Sequence, residues 1–120
     1  AVLFVEDADE AMVSELGHEI RHHNHYAPAG TNVNFVQRTG DDSIRVRTYE
    51  RGVGETLACG TGVSAAALIM AKLHGCGSPV RVRVLGGDDL GVAFEPAGDS
   101  FANVQLTGPA EFVFSGQIEI

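Results

Sequence analysis

The residues best suited to chemistry stand together between positions 49 and 62: Tyr49-Glu50-Arg51-Gly52-Val53-Gly54-Glu55-Thr56-Leu57-Ala58-Cys59-Gly60-Thr61-Gly62. The run joins the end of a strand-like segment to the start of a helix-like one. The first amides of a helix have no intrahelical partner, and at Gly60, Thr61 and Gly62 no bulky side chain covers them, so a carboxylate or phosphate could sit there. Cys59 stands just before, where the positive end of the helix favours thiolate and hence reactivity. Glu50 and Arg51 bring charges that match the two ends of a zwitterion, Arg for a carboxylate and Glu for an ammonium. The same spacing admits a structural reading, because a cysteine in a Gly-rich turn is often only a small buried residue. A phosphate loop of the Walker type does not fit, since no Gly-Lys-Ser/Thr follows. A cysteine hydrolase would need a histidine base, and nothing in the spacing brings one to Cys59.

Four histidines, His18, His22, His23 and His25, raise the question of a metal. Glu19 is the one acid at ligand spacing among them and the segment does not read as a helix, so a solvated loop and no metal are expected. Cys76, in Gly75-Cys76-Gly77, reads as structural.

The elements that must position these residues follow from periodicity. Ala1–Val5 reads as a short buried strand, and residues 7–16 as a helix capped by Asp7 or Asp9 with Gly17 as its stop. Residues 18–31 read as loop, and 32–38 as a strand. Thr39-Gly40-Asp41-Asp42 is a turn. From Ser43 to Glu50, Ile44, Val46 and Thr48 alternate with Arg45, Arg47 and Tyr49, the pattern of a half-buried antiparallel strand. Val80–Val84 repeats it, and residues 90–94, 101–106 and 111–118 give three more strand-like runs. Between the two halves of this β material one helix runs from near Thr61 to Leu73 or His74 and stops at Gly75. It shows no polar face, so burial on all sides is expected. The fold class is therefore α+β: about seven antiparallel strands curled as a barrel-like sheet around one buried central helix, with one short outer helix.

Composition removes whole classes of function. A chain of 120 residues is room for one domain, and 44% hydrophobic residues supply a core. Fifteen glycines, about double the usual share, read as turns between many short elements. Eight basic residues, seven of them Arg, against sixteen acidic ones give a net charge of −8, which argues against nucleic acid and anionic membranes as partners. The longest apolar stretch, residues 63–73, is too short to span a bilayer. Two cysteines make no disulfide framework and read as cytosolic thiols.

The Glu50-Arg51-Gly52-Val53-Gly54-Glu55-Thr56 and Ala58-Cys59-Gly60-Thr61-Gly62 runs closely resemble the second catalytic motif of the diaminopimelate epimerase family. Arg21-His22-His23 with Gly30-Thr31-Asn32-Val33-Asn34-Phe35-Val36-Gln37 resembles the segment before it, and Gly108-Pro109-Ala110 with the final strand resembles the family's C-terminus. The resemblance implies an isomerase that interconverts LL- and meso-2,6-diaminopimelate in lysine biosynthesis without pyridoxal phosphate, metal or other cofactor. One cysteine takes the α-proton as thiolate and a second returns a proton to the opposite face. It implies that Cys59 is one of that pair, that Gly60 and Thr61 hold the α-carboxylate by their amides, and that Asn32, Glu50 and Arg51 contact substrate. The family's other half, which carries the second cysteine, has no counterpart here, and His22-His23-Asn24-His25-Tyr26 departs from the family's proline and aromatic pattern. Residues 1–108 are therefore expected to form the C-terminal catalytic domain, and residues 109–120 a strand that crosses to the N-terminal half. Alone, the chain is expected to be inactive, with residues 111–120 an exposed edge that is disordered, swapped or paired with a neighbour. A homodimer and a cytoplasmic location also fit. The alternatives that stay open are a proline racemase-like or phenazine-type isomerase, and a non-catalytic module that keeps the fold.

Overall fold

The computed structural model describes residues 1–120. The elements run β1 (Val2–Phe4), α1 (Val13–Arg21), a 3-10 turn (Asn24–Tyr26), β2 (Val33–Arg38), β3 (Ser43–Glu50), β4 (Gly54–Thr56), α2 (Gly60–His74), β5 (Val80–Val84), β6 (Asp89–Ala97) and β7 (Ser100–Thr107). All seven strands belong to one curled sheet in the order β1-β2-β3-β5-β6-β7, with β4 added beside the far end of β3. The α+β class agrees with the sequence pattern, as do six of its seven strand-like runs; β4 is a strand that the pattern does not show, and residues 111–118 form none. The direction of pairing does not agree throughout. β1 runs parallel to β2, and β5 runs parallel to β3, so the sheet is mixed. The α2 connection returns the chain to the starting end of β3, which makes the β3–β5 pair parallel, as a crossover helix requires.

β3 carries the alternation read from its sequence: Ile44, Val46 and Thr48 are buried, and Arg45, Arg47 and Tyr49 are half-buried on the other face. Val80, Val82 and Val84 of β5 are buried between exposed Arg81 and Arg83. The inward residues of β2, β3, β5 and β6 pack against Val63, Ala66, Ala67, Met70 and Ala71 of α2 to form the main core. Alanines on the helix let it lie close to the strands. The helix stops at Gly75, which adopts φ +66° and donates its amide to the Ala71 carbonyl.

Two expectations about helices are corrected here. α2 is not buried on all sides: Ile69 and Leu73 are exposed, as is Lys72. The sheet curls over one face of the helix only, because its strands end at β1 on one side and β7 on the other. The first helix begins at Val13 instead of Asp7 or Asp9, and runs through Gly17 to Arg21. The acids at 7–9 are drawn away from a capping role. Asp9 pairs with Arg45, the Ala8 and Asp9 carbonyls accept from Arg47, and the Ala8 amide donates to Gln37. Gly17 is internal because the Tyr49 ring lies against it; a Cβ at that position would stand 2.5 Å from Tyr49 Cγ. α1 thus covers the face of the sheet opposite α2, where Val13, Val33 and Phe35 form a second, smaller core.

The ends of the chain also differ from the pattern. β1 is a half-buried edge strand, with Phe4 exposed. Residues 108–120 form no helix or strand and are exposed throughout. An apolar run becomes a strand only where a sheet edge accepts its backbone, and Phe112, Phe114 and Ile118 lie against none.

Gly17 gives a test with a distinctive sign. In an open helix interior Gly→Ala stabilises by ~1 kcal/mol. Here Gly17→Ala forces the added methyl into the Tyr49 ring, and stability should fall by ~1–3 kcal/mol in urea unfolding.

Candidate active site

The site is built where two strand ends meet the start of α2. β2 and β3 pair with Asn34 opposite Thr48. Both side chains point to the α2 face, and Thr48 Oγ1 donates to Asn34 Oδ1 at 2.8 Å. Asn34 Nδ2 donates to the Ala1 carbonyl at 3.2 Å. Gly62, in the first turn of α2, rests on this pair so closely that a Cβ there would stand 2.1 Å from Asn34 Oδ1. That contact fixes how near the helix start comes to the sheet.

Cys59 is the N-cap residue of α2 and is 8% exposed. Its carbonyl accepts from Val63 N–H at 2.8 Å, and its Sγ lies 3.4 Å from Thr61 Oγ1. No side chain caps the helix start. The amides of Gly60, Thr61 and Gly62 are therefore the donors that a helix leaves without intrahelical partners, and Gly60 and Thr61 are exposed. Gly60 approaches Leu106 of β7, whose Cδ2 would stand 3.2 Å from a Cβ added there.

One rung out from the Asn34–Thr48 pair lie Asn32 and Glu50. Glu50 stands two positions on from Thr48 in β3 and so shares its α2 face at the rim of the helix start, and Asn32 stands just before the start of β2 at Val33. Asn32 Oδ1 accepts from the backbone amide of Arg51 at 2.7 Å, which locks the end of β2 to the turn after β3. Arg51 Nη1 reaches the Ala29 carbonyl at 3.4 Å. The structure thus brings Asn32, Glu50 and Arg51 to one corner, and Cys59, Gly60 and Thr61 to the helix start beside it. Arg51, Gly60 and Thr61 are exposed, Asn32 and Glu50 half-buried and Cys59 buried, so the corner is a surface ledge with the thiol at its inner side.

The loop that carries Cys59 is held from both sides. Arg47 and Glu55 form a bidentate pair at 2.6 and 2.9 Å, with side chains only 16% and 18% exposed, and this clamps β4 onto β3. Hydrogen bonding to Glu55, against an opposing effect of burial, holds the Arg47 guanidinium above its ordinary range, so it stays charged at any working pH. Farther on, the Leu57 carbonyl accepts from Gly86 N–H at 3.2 Å, which ties the loop to the β5–β6 hairpin. Asn34, Thr48, Arg47 and Glu55 are the supporting residues that sequence reasoning passed over. Asn34 and Thr48 did carry a signal, as polar residues at inward strand positions facing a Gly-rich helix start.

The histidines lie elsewhere. His18 is on α1 and His22 is its C-cap residue, with His22 Nδ1 bonded to the His18 carbonyl at 2.8 Å, and His23 Nδ1 caps the 3-10 turn by accepting from His25 N–H. Cys59 and Cys76 are both free thiols.

Two solved structures share the fold. A predicted epimerase from Pseudomonas aeruginosa superposes with a TM-score of 0.60 over 83% of this chain and 34% of its own, at 16% identity. A phenazine biosynthesis protein of the PhzF family from Bacillus anthracis gives 0.54 over 82% and 31%, at 17% identity. These likenesses define the class by fold: the curled α+β sheet with its packed helix found in those two proteins. The sequence goes further. The model of the diaminopimelate epimerase family matches residues 1–113, and the chain belongs to that family. It is 45% identical to the diaminopimelate epimerase of Aquifex aeolicus over 98% of this chain and 42% of that protein. With the enzyme of Chlorobaculum tepidum it shares 43% over the whole chain and 46% of that protein. The chain thus spans less than half the length of these curated relatives.

Gly62→Ala should lower stability by ~2 kcal/mol, because the new methyl overlaps Asn34. Adding Asn34→Ala should recover part of that loss, so a double-mutant cycle should show coupling of ~1 kcal/mol. Strictly additive effects in urea unfolding would contradict the contact.

Proposed function

We propose that this chain supplies the Cys59 half of a diaminopimelate epimerase active site, acting on LL- and meso-2,6-diaminopimelate without a cofactor. The observation that carries the proposal is the placement of Cys59 at an uncapped helix start, with the Asn32–Glu50–Arg51 corner on the same rim.

The chemistry follows from the acidity of the substrate. An amino-acid α-proton is a weak acid, and removing it leaves negative charge that spreads onto the α-carboxylate. Amides of Gly60 and Thr61 at a positive helix end stabilise that enediolate charge as it develops. Cys59 as thiolate takes the proton: the Cα–H bond breaks, an S–H bond forms, and the electron pair moves into the carboxylate. A thiol on the opposite face then gives a proton to Cα, completing inversion. That second thiol belongs to the portion of the longer protein outside these 120 residues, which closes over the ledge and removes water. Arg51 and Glu50 match a carboxylate and an ammonium of a substrate that carries two of each.

In this reading residues 1–108 are the C-terminal catalytic domain and residues 109–120 a segment that crosses to the other half, which is the chain's partner. Homodimers of the whole enzyme are compatible with it. Free thiols at Cys59 and Cys76 suit the reducing cytoplasm. No helix is long and apolar enough to cross a membrane.

The test is an epimerisation assay on three samples. The 120-residue chain alone should not convert LL- to meso-diaminopimelate. The chain joined to the preceding portion of the Chlorobaculum tepidum relative should do so, and Cys59→Ala in that protein should reduce turnover by at least ~10³-fold. Activity that survives Cys59→Ala would overturn the assignment.

A further inference from the structure

Asn34 and Thr48 are the two buried polar side chains of the chain, 4% and 3% exposed. The next rung of the same strand pair is Val36 opposite Val46, both buried against α2. An apolar pair would therefore suit positions 34 and 48 as core, and a polar pair there carries a desolvation cost that its hydrogen bonds only offset. The cost falls at one place in the molecule, directly beneath the first turn of α2, where Asn34 Oδ1 meets Gly62.

We propose that Asn34, oriented by Thr48, is a positioning residue of the active site. Its carbonyl bears on Gly62 and sets the first turn of α2 so that the amides at 60–62 and the Cys59 thiol face the rim carrying Asn32 and Glu50. Its neutral amide matters as much as its shape. A carboxylate at the same place would oppose the thiolate and any substrate anion at that helix end, whereas the amide leaves the positive potential intact. The proposal rests on Cys59 being the reacting thiol, and the experiment reads that point separately.

The experiment is iodoacetamide alkylation across pH 5–10 in the chain carrying Cys76→Ser, so that Cys59 is the reporting thiol. Asn34→Asp keeps the acceptor for Thr48 and adds a charge. Its rate–pH profile should move upward by ~1 pH unit relative to the parent, with far-UV circular dichroism unchanged. Glu50 and Arg51, the charged side chains of the rim, and the Ala1 amino group, which donates to the Asn32 carbonyl at 2.8 Å, are the same in both proteins. A folded Asn34→Asp chain with the parent profile overturns the proposal. Should that variant fail to fold, the neutral pair Thr48→Val and Thr48→Ser decides. Thr48→Ser keeps the donor and should react like the parent, while Thr48→Val should react several-fold more slowly at pH 7; equal rates overturn the proposal. An unreactive Cys59 in the parent at neutral pH would instead count against the assignment of the thiol itself.

Discussion

The close seating of Gly62 on the Asn34–Thr48 pair is the contact on which the rest of the site depends. A helix start can hold an anion only if its open amides point at one place, and that direction is set by how the first turn meets the sheet. Here the turn meets a hydrogen-bonded polar pair at a distance that leaves no room for a methyl group. The glycine is needed for approach more than for backbone freedom. The rest of α2 can then pack by simple apolar contact, with Val63, Ala66, Ala67 and Met70 fully buried.

Around that seat the sheet does two jobs with its two faces. The α2 face carries Asn34, Thr48 and, one rung farther, Glu50, with Asn32 just before the start of β2. The opposite face carries Arg45, Arg47 and Tyr49, which anchor the loop before α1, strand β4 and α1 itself. Because successive side chains of a strand alternate, the same residues of β3 that build the ledge are interleaved with those that brace it. The Arg47–Glu55 pair contributes through geometry more than through charge alone. It is bidentate and half-shielded, and it fixes the strand from which the chain turns toward Cys59.

Much of this was legible in the sequence, and the failures have physical causes. The strand alternation of Ser43–Glu50 and Val80–Val84, the helix ending at Gly75, and the grouping of Glu50, Arg51 and Cys59 at one strand-to-helix junction all follow from local pattern. Strand direction did not follow, because parallel pairing of β3 with β5 is set by the crossover and not by either strand's residues. Gly17 read as a helix stop, since nothing local reveals that the Tyr49 ring, 32 positions on, needs the space. The all-apolar helix promised complete burial, yet burial depends on how far the sheet curls. Asn34 was hidden inside a strand motif whose inward partner, Gly62, lies 28 positions away.

On the proposed function, Cys59 and not Cys76 is the reacting thiol of the chain. The most direct measurement is competitive alkylation of the unmodified chain with limiting iodoacetamide at pH 7, with the two cysteine peptides quantified by mass. Cys59, at the positive helix end, should be modified at least ~10-fold faster than Cys76, even though Cys76 is the more exposed. Equal rates, or preferential modification of Cys76, would contradict it.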